Sequence, residues 1–326
     1  METTFCKKAA DPLLHLFWKT QISILRACPP LAGVVSRSGM GAENSGRLWV
    51  KTLLRTAKQA PRAALLHLCD VQRGRVVLPR VSVPVTTRCT LHCDKCIVHV
   101  PDLKKQADIP LRDLLRDIQA LLACADHIYT IILGGGEAFL HSDLDEIIRA
   151  FAESGKVSDI TVESNGTLVP GAKVLAALQK EDAMVRISRY PALQPDVEKL
   201  KSALREYGIP HTHESGTTWR DLGATGRLRE GSEKRRFSVC IQQLCLPYLN
   251  GKLYLCGQSA VLTEEGLIPE CAEDRIDLRC VSPAAFRAQW KELSKKRVVS
   301  ACSYCLGDTY NTPKIPVAVQ RAASAP

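Results

Sequence analysis

The chain has 326 residues, 45% of them hydrophobic and 24% charged, a balance that suits a folded chain with a sizeable core and excludes a disordered or fibrous one. No run of about 18 uncharged apolar residues occurs, which argues against a membrane-spanning helix. The opening segment, interrupted by His15, Lys19 and Gln21, does not read as a cleaved secretory signal. The net charge of +10 is lopsided: residues 1–80 hold 13 Lys and Arg against 4 Asp and Glu, so the basicity belongs to the N-terminal region.

Residues 1–78 read as a basic, largely helical extension. A helix-like piece from Leu13 to Arg26 runs into Cys28-Pro29-Pro30, and Gly33 to Gly46 reads as a linker. Helical periodicity returns over 47–72, where Arg47, Lys51, Arg55, Lys58 and Arg62 recur at spacings of three or four and Pro61 divides two helices. Such a face suits contact with an anionic surface, and a merely solvated face accounts for it equally. Trp49 is the one aromatic among these charges, which gives little for stacking on nucleic acid.

From residue 79 strands and helices alternate. Expected strands are Val81–Val85, His127–Leu133, Asp159–Glu163, Val185–Ser188 and Ile209–His213; expected helices are Pro110–Ala123, Asp143–Glu153, Ala172–Gln179 and Asp196–Tyr207. Repeated strand–helix units predict an α/β fold, an open or closed (β/α) barrel whose chemistry lies at the carboxyl ends of the strands. Residues 236–326 differ. Leu246 to Leu255 reads as a hairpin around Asn250-Gly251, an irregular stretch follows, and a helix is expected from Pro283 to Lys296.

Fourteen cysteines stand out. Their tight grouping suits several thiolates converging on a metal centre better than disulfides, and a reducing cytoplasm is the expected location. Cys89-Thr-Leu-His-Cys93-Asp-Lys-Cys96 lies directly after the first strand. Zinc is one reading, with His92 or His99 as an awkward fourth ligand. Three thiolates on one loop also suit a 4Fe–4S cluster whose fourth iron stays free for a chelating molecule.

This spacing after strand one resembles the defining motif of the radical S-adenosylmethionine (SAM) superfamily, and the likeness extends over residues 79–214. Gly135-Gly136-Glu137 at the end of the second strand is similar to the family's Gly-Gly-Glu, which implies that Glu137 accepts the ammonium of SAM while the glycines let backbone approach its methionyl group. Ser164-Asn165-Gly166-Thr167 resembles the polar turn near the SAM ribose, and Ser188 stands where the family uses a polar side chain on the ribose or carboxylate. Two positions depart from the pattern: Lys95 replaces an aromatic that touches adenine, and Ala138 replaces a proline. On this resemblance residues 79–235 form the radical SAM core, and a reducing donor such as flavodoxin or ferredoxin is implied as partner.

Cys240, then ten residues to Gly251 and four more to Cys256, resembles the opening of the SPASM/Twitch auxiliary domains, and Cys302-x-x-Cys305 follows. Residues 236–326 are therefore expected to hold a second 4Fe–4S cluster on Cys240, Cys256, Cys302 and Cys305, with Cys245 able to replace Cys240; buried hydrophobes or zinc are the alternative. Cys271 and Cys280 stay unassigned. The pattern resembles aminocyclitol dehydrogenases and glycan-associated bacterial relatives, which implies hydrogen abstraction from a small-molecule or glycan substrate followed by oxidation or epimerisation of a carbohydrate or cyclitol carbon. A peptide-modifying maturase is the alternative. Trp219 and Asp221 are candidates for contacting a sugar, Trp219 being equally a packing residue.

Overall fold

The computed structural model describes residues 15–16, 18–20, 22–23, 68–70, 72–103, 105–190, 192–213, 218–223 and 231–321. The basic helices expected over residues 47–62 lie outside them. From the N-terminal segment, His15 and Trp18 pack on Tyr310, the His15 Nδ1 lying 3.0 Å from its hydroxyl.

Five parallel strands line up as β5-β4-β3-β2-β1: β1 (Val77–Thr86), β2 (His127–Gly135), β3 (Ile160–Ser164), β4 (Met184–Ile187) and β5 (His211–His213). The helices between them are α1 (Leu111–Cys124), α2 (Leu144–Ala152), α3 (Ala172–Lys180) and α4 (Val197–Glu206). The strand period of two sorts the residues. Val81, Val83 and Val85 are buried on one face with Ile131, Leu133 and Val162, where Leu121, Ile147, Phe151, Leu178 and Leu204 of the helices cover them. Each such side chain withdrawn from water contributes roughly 1.5–3 kcal/mol. The alternate residues Arg80, Ser82 and Pro84 are only partly buried and face the other side. The result is an α/β fold, a partial (β/α) barrel with a mostly parallel sheet of eight strands.

The C-terminal half builds onto the same sheet. It contains β6 (Thr218–Arg220), α5 (Glu233–Ser238), β7 (Leu246–Leu249), β8 (Lys252–Tyr254), α6 (Gly257–Glu264), β9 (Arg275–Asp277), α7 (Pro283–Leu293) and β10 (Lys314–Pro316). β7 pairs in parallel with β1, Val81 opposite Leu246, so the order runs on as β1-β7-β8-β9. The expected hairpin turn forms with Asn250 and Gly251 both at positive φ, 52° and 76°, as a type I′ turn requires. A side chain at Gly251 would also run into Arg279. Arg279 reaches across to grip the buried Asp117 of α1 through two bonds of 2.6 and 2.7 Å, and the Tyr248 hydroxyl donates to the Asp117 carbonyl at 2.8 Å.

Several elements were not anticipated. β6, β9 and β10 have three residues each, too few for any period to show. α6 buries Gln258, Ser259, Ala260 and Leu262, a set without an apolar stripe. Among the described residues no helix is long and apolar enough to cross a membrane.

Candidate functional site

The strands deliver three loops to one edge of the sheet. The loop after β1 carries Cys89, Cys93 and Cys96, and the turn after β2 supports it from beneath. Gly136 N–H donates to the Thr86 carbonyl and Glu137 N–H to the Arg88 carbonyl, both at 2.8 Å. A Cβ on Gly135, whose φ is 115°, would collide with the Thr86 carbonyl, and one on Gly136 with that of Arg88. Within the chain, then, the two glycines permit backbone to meet the backbone of the cysteine loop, a role that the sequence reading did not give them.

Glu137 is fully buried. Its carboxylate accepts the backbone N–H of Asn165 at 2.6 Å and of Phe139 at 3.2 Å. Burial pushes its pKa up to about 7, against the pull of hydrogen bonds from Asn165, Phe139 and Ser164. A cation beside it would favour the ionised form. Asn165 also reaches the cysteine loop, its Nδ2 lying 2.9 Å from Thr90 Oγ1 and 3.5 Å from Cys89 Sγ. The turn is braced by Gln194, whose Nε2 donates to the carbonyls of Asn165 and Ser188. Gly166, at φ 75°, leaves room for that amide. Ser188 N–H in turn donates to the Ser164 carbonyl at 2.9 Å. Ser164, Asn165 and Ser188 thus meet at one edge beside Cys89; Gln194 escaped the sequence reading because nothing in its local spacing marks it.

The three loop thiols lie close enough to influence one another. Burial pushes all three up, Cys93 to about 11. Cys89 accepts hydrogen bonds from Leu91 N–H and Asn165 Nδ2, and Cys93 from Gln320 Nε2 at 3.1 Å; at Cys96 the nearby backbone N–H groups of Val100, Val98 and His99 pull against the effect of burial. Among the described residues no three His, Cys, Asp or Glu side chains converge as ligands of one metal ion would. His99 is engaged elsewhere, with Gln258 Oε1 at 3.1 Å and Asp102 at 3.4 Å.

A second set of thiols lines a small cavity of about 20 Å³: Cys240, Cys256, Cys302 and Cys305, with Arg236 and Gly307. Burial raises all four, Cys256 and Cys305 to about 12. Thiols held neutral by burial give up their protons when a metal centre binds. Backbone N–H groups already point at the sulfurs, Asp308 at Cys240 (3.3 Å) and Gly307 at Cys305 (3.2 Å). Four sulfurs, inward N–H dipoles and a guanidinium fit an anionic iron–sulfur cluster.

Cys245 does not line that cavity. Its thiol lies by the Arg80 and Arg186 guanidinium groups, bonded by Ser82 N–H, on the barrel side of the sheet. Cys280 is exposed, and Cys271 precedes a short 3-10 turn; neither lines the cavity. Beside the first cysteine set opens a cleft of about 280 Å³ that includes Lys95, Cys96, Asp221 and Gln258. Lys95 there pairs with Asp221 at 3.5 Å. Trp219 packs edge-on against Tyr190, their ring centres 5.7 Å apart, as a packing residue does.

Residues 83–189 match the model of the Radical SAM superfamily. That match covers the end of β1, the cysteine loop, β2 to β4 and the turns that follow them. Among solved structures the chain is similar to hexahistidine-tagged anSMEcpe with bound AdoMet (17% identity, TM-score 0.34, covering 41% of this chain and 42% of that one). It is similar also to BtrN in complex with AdoMet and 2-DOIA (14%, 0.42, 72% and 95%) and to Streptococcus suis SuiB bound to S-adenosylmethionine (16%, 0.36, 61% and 44%). In these anSMEcpe and SuiB matches the chain spans less than half of the relative's length.

Proposed function

We propose that this chain is a radical SAM enzyme with two iron–sulfur clusters. The observation that carries the reading is the junction at Asn165. Its backbone binds the buried Glu137 carboxylate at 2.6 Å while its side chain points at Cys89 Sγ, so one residue positions a carboxylate for an ammonium and a thiolate for iron. Cys89, Cys93 and Cys96 would hold the first cluster, leaving one iron for SAM. Glu137 would accept a hydrogen bond from the SAM amino group; Gly135 and Gly136 hold the turn under the loop; Ser164, Asn165 and Ser188 would contact the ribose or carboxylate. When bound, the cluster and SAM supply a 5′-deoxyadenosyl radical that removes a hydrogen atom from a substrate carbon. The protein's own share is to hold the reactants in line and to exclude water.

Cys240, Cys256, Cys302 and Cys305 ligate the second cluster. A cluster with four protein thiolates has no open position, which suits it to accepting an electron. That favours a two-electron oxidation, and the substrate we assign is a carbohydrate or cyclitol, with electrons delivered to the first cluster by a flavodoxin- or ferredoxin-like donor. Epimerisation has its own support in Cys245, a spare thiol on the barrel side of the sheet. Anaerobic reconstitution tests the central claim. The chain should bind about eight irons and form 5′-deoxyadenosine from SAM under a strong reductant, and Cys93→Ala should abolish that product. A Cys93→Ala protein that still cleaves SAM would refute the assignment.

A further inference from the structure

The C-terminal segment 318–321 lies across the first cysteine loop as a strap. Gln320 forms an isolated antiparallel bridge with Cys93, Asp94 N–H donates to the Val319 carbonyl at 2.6 Å, and Arg321 N–H donates to the His92 carbonyl at 2.9 Å. The Arg321 guanidinium adds ion pairs with Asp94 at 3.3 Å and Asp102 at 2.7 Å. The chain turns into this contact at Ala318, which is buried yet has φ 50°, a conformation uncommon for a residue with a Cβ.

The Gln320 side chain is fully committed. Its Oε1 accepts His92 N–H at 2.7 Å, while Nε2 donates to the Ala318 carbonyl at 2.7 Å and to Cys93 Sγ at 3.1 Å. The flipped amide would set N–H against N–H at His92, so the network itself assigns the nitrogen to the sulfur. The thiols of Cys89 and Cys93 differ in how their donors arise. Cys89 draws on Leu91 N–H of its own loop and on Asn165. Among the described residues, the donor to Cys93 is Gln320, 227 positions away.

We infer that Gln320 is a positioning residue that tunes the reduction potential of the iron–sulfur cluster held by Cys89, Cys93 and Cys96, by donating its amide N–H to the Cys93 sulfur. This rests on the reading of that loop as a cluster site. An N–H dipole aimed at a ligating sulfur draws electron density from it and makes the added electron easier to hold, which raises the potential. The charge of Arg321 is balanced by Asp94 and Asp102, so the amide is the group that acts on the sulfur.

The test is a redox titration of the full chain, reconstituted anaerobically in a Cys302→Ala, Cys305→Ala background so that one cluster titrates, with electron paramagnetic resonance as the readout. Gln320→Leu removes the donor. Gln320→Glu keeps the acceptor for His92 N–H and the backbone bonds and Arg321 ion pairs of the strap, but loses both Nε2 bonds and sets a carboxylate against the sulfur. Both should move the midpoint to more negative potential at unchanged iron content, the Glu variant further; should the Leu variant fail to fold, the Glu variant decides alone. An unchanged midpoint overturns the inference, and so does a lower cluster content with an unchanged midpoint, the signature of a strap that is structural only. If the background protein, before any change at Gln320, binds no four-iron cluster, the cluster reading itself has failed and the inference falls with it.

Discussion

The Gln258 carboxamide donates to the Ile97 carbonyl across 2.8 Å, joining a residue two positions beyond Cys256 to one next to Cys96. Gln258 is 3% exposed, and its oxygen faces His99 Nε2. One side chain of α6 therefore ties the two cysteine-bearing segments together. Replacing it by Leu leaves the Ile97 carbonyl and His99 Nε2 without this partner and should cost about 1–3 kcal/mol of stability. Thermal or denaturant unfolding of Gln258→Leu checks this, and wild-type stability would contradict it.

The four-thiol cavity and the three-thiol loop should lose iron independently. Cys302→Ala or Cys305→Ala should cost about four irons and leave SAM cleavage without substrate intact, while product formation fails. Iron analysis beside a 5′-deoxyadenosine assay reads both. Complete loss of iron in either variant would mean that the two sets serve one centre.

Gly136→Ala places a Cβ against the Arg88 carbonyl, which is backbone and has no rotamer to escape into. The cysteine loop has to shift, and we expect at least a ~10-fold loss of SAM cleavage, equivalent to about 1.4 kcal/mol in the barrier. Gly171→Ala, where nothing lies within 4 Å, should change cleavage little and serves as the control.

The strap should resist mild acid. Asp102 is held below the usual carboxylate range, first by the hydrogen bond from Arg321 and further by its charge. A carboxyl group lowered by folding contributes stability that is fully present above its unfolded value near pH ~4 and lost only as pH falls through the lower folded value. Hydrogen-exchange protection of the Asp94 and Arg321 amides should therefore persist through mildly acidic solution and disappear in stronger acid. Protection lost above pH ~5 would show that this pair does not hold the strap.

Reaction in deuterated water separates oxidation from epimerisation. A dehydrogenation fixes no solvent deuteron at the product carbon, whereas return of a hydrogen atom from a thiol does, because thiol protons exchange with solvent. Incorporation that disappears in Cys245→Ala, Cys271→Ala or Cys280→Ala would overturn the oxidation reading; its absence in a competent turnover supports it.

What the sequence determined by itself is local. The loop from Cys89 to Cys96 sits where the first strand ends, the five parallel strands and the four helices between them run in the expected order, and the Asn250-Gly251 turn has the required positive φ at both residues, because side-chain period and turn chemistry act over a few covalent bonds. The four cysteines that share the second cavity were expected from the resemblance to auxiliary-cluster domains, with Cys245 as an alternative to Cys240. Only the tertiary structure decided that β7 continues the barrel sheet beside β1, that Cys245 lies with Arg80 and Arg186 away from Cys240, and that Gly135 and Gly136 meet the backbone of the cysteine loop. It alone brought Gln258 to Ile97 and Gln320 to Cys93. A glutamine carries no local signature of its partner: which sulfur or carbonyl its amide meets depends on how segments more than a hundred residues apart pack, and that is fixed by burial of the whole core.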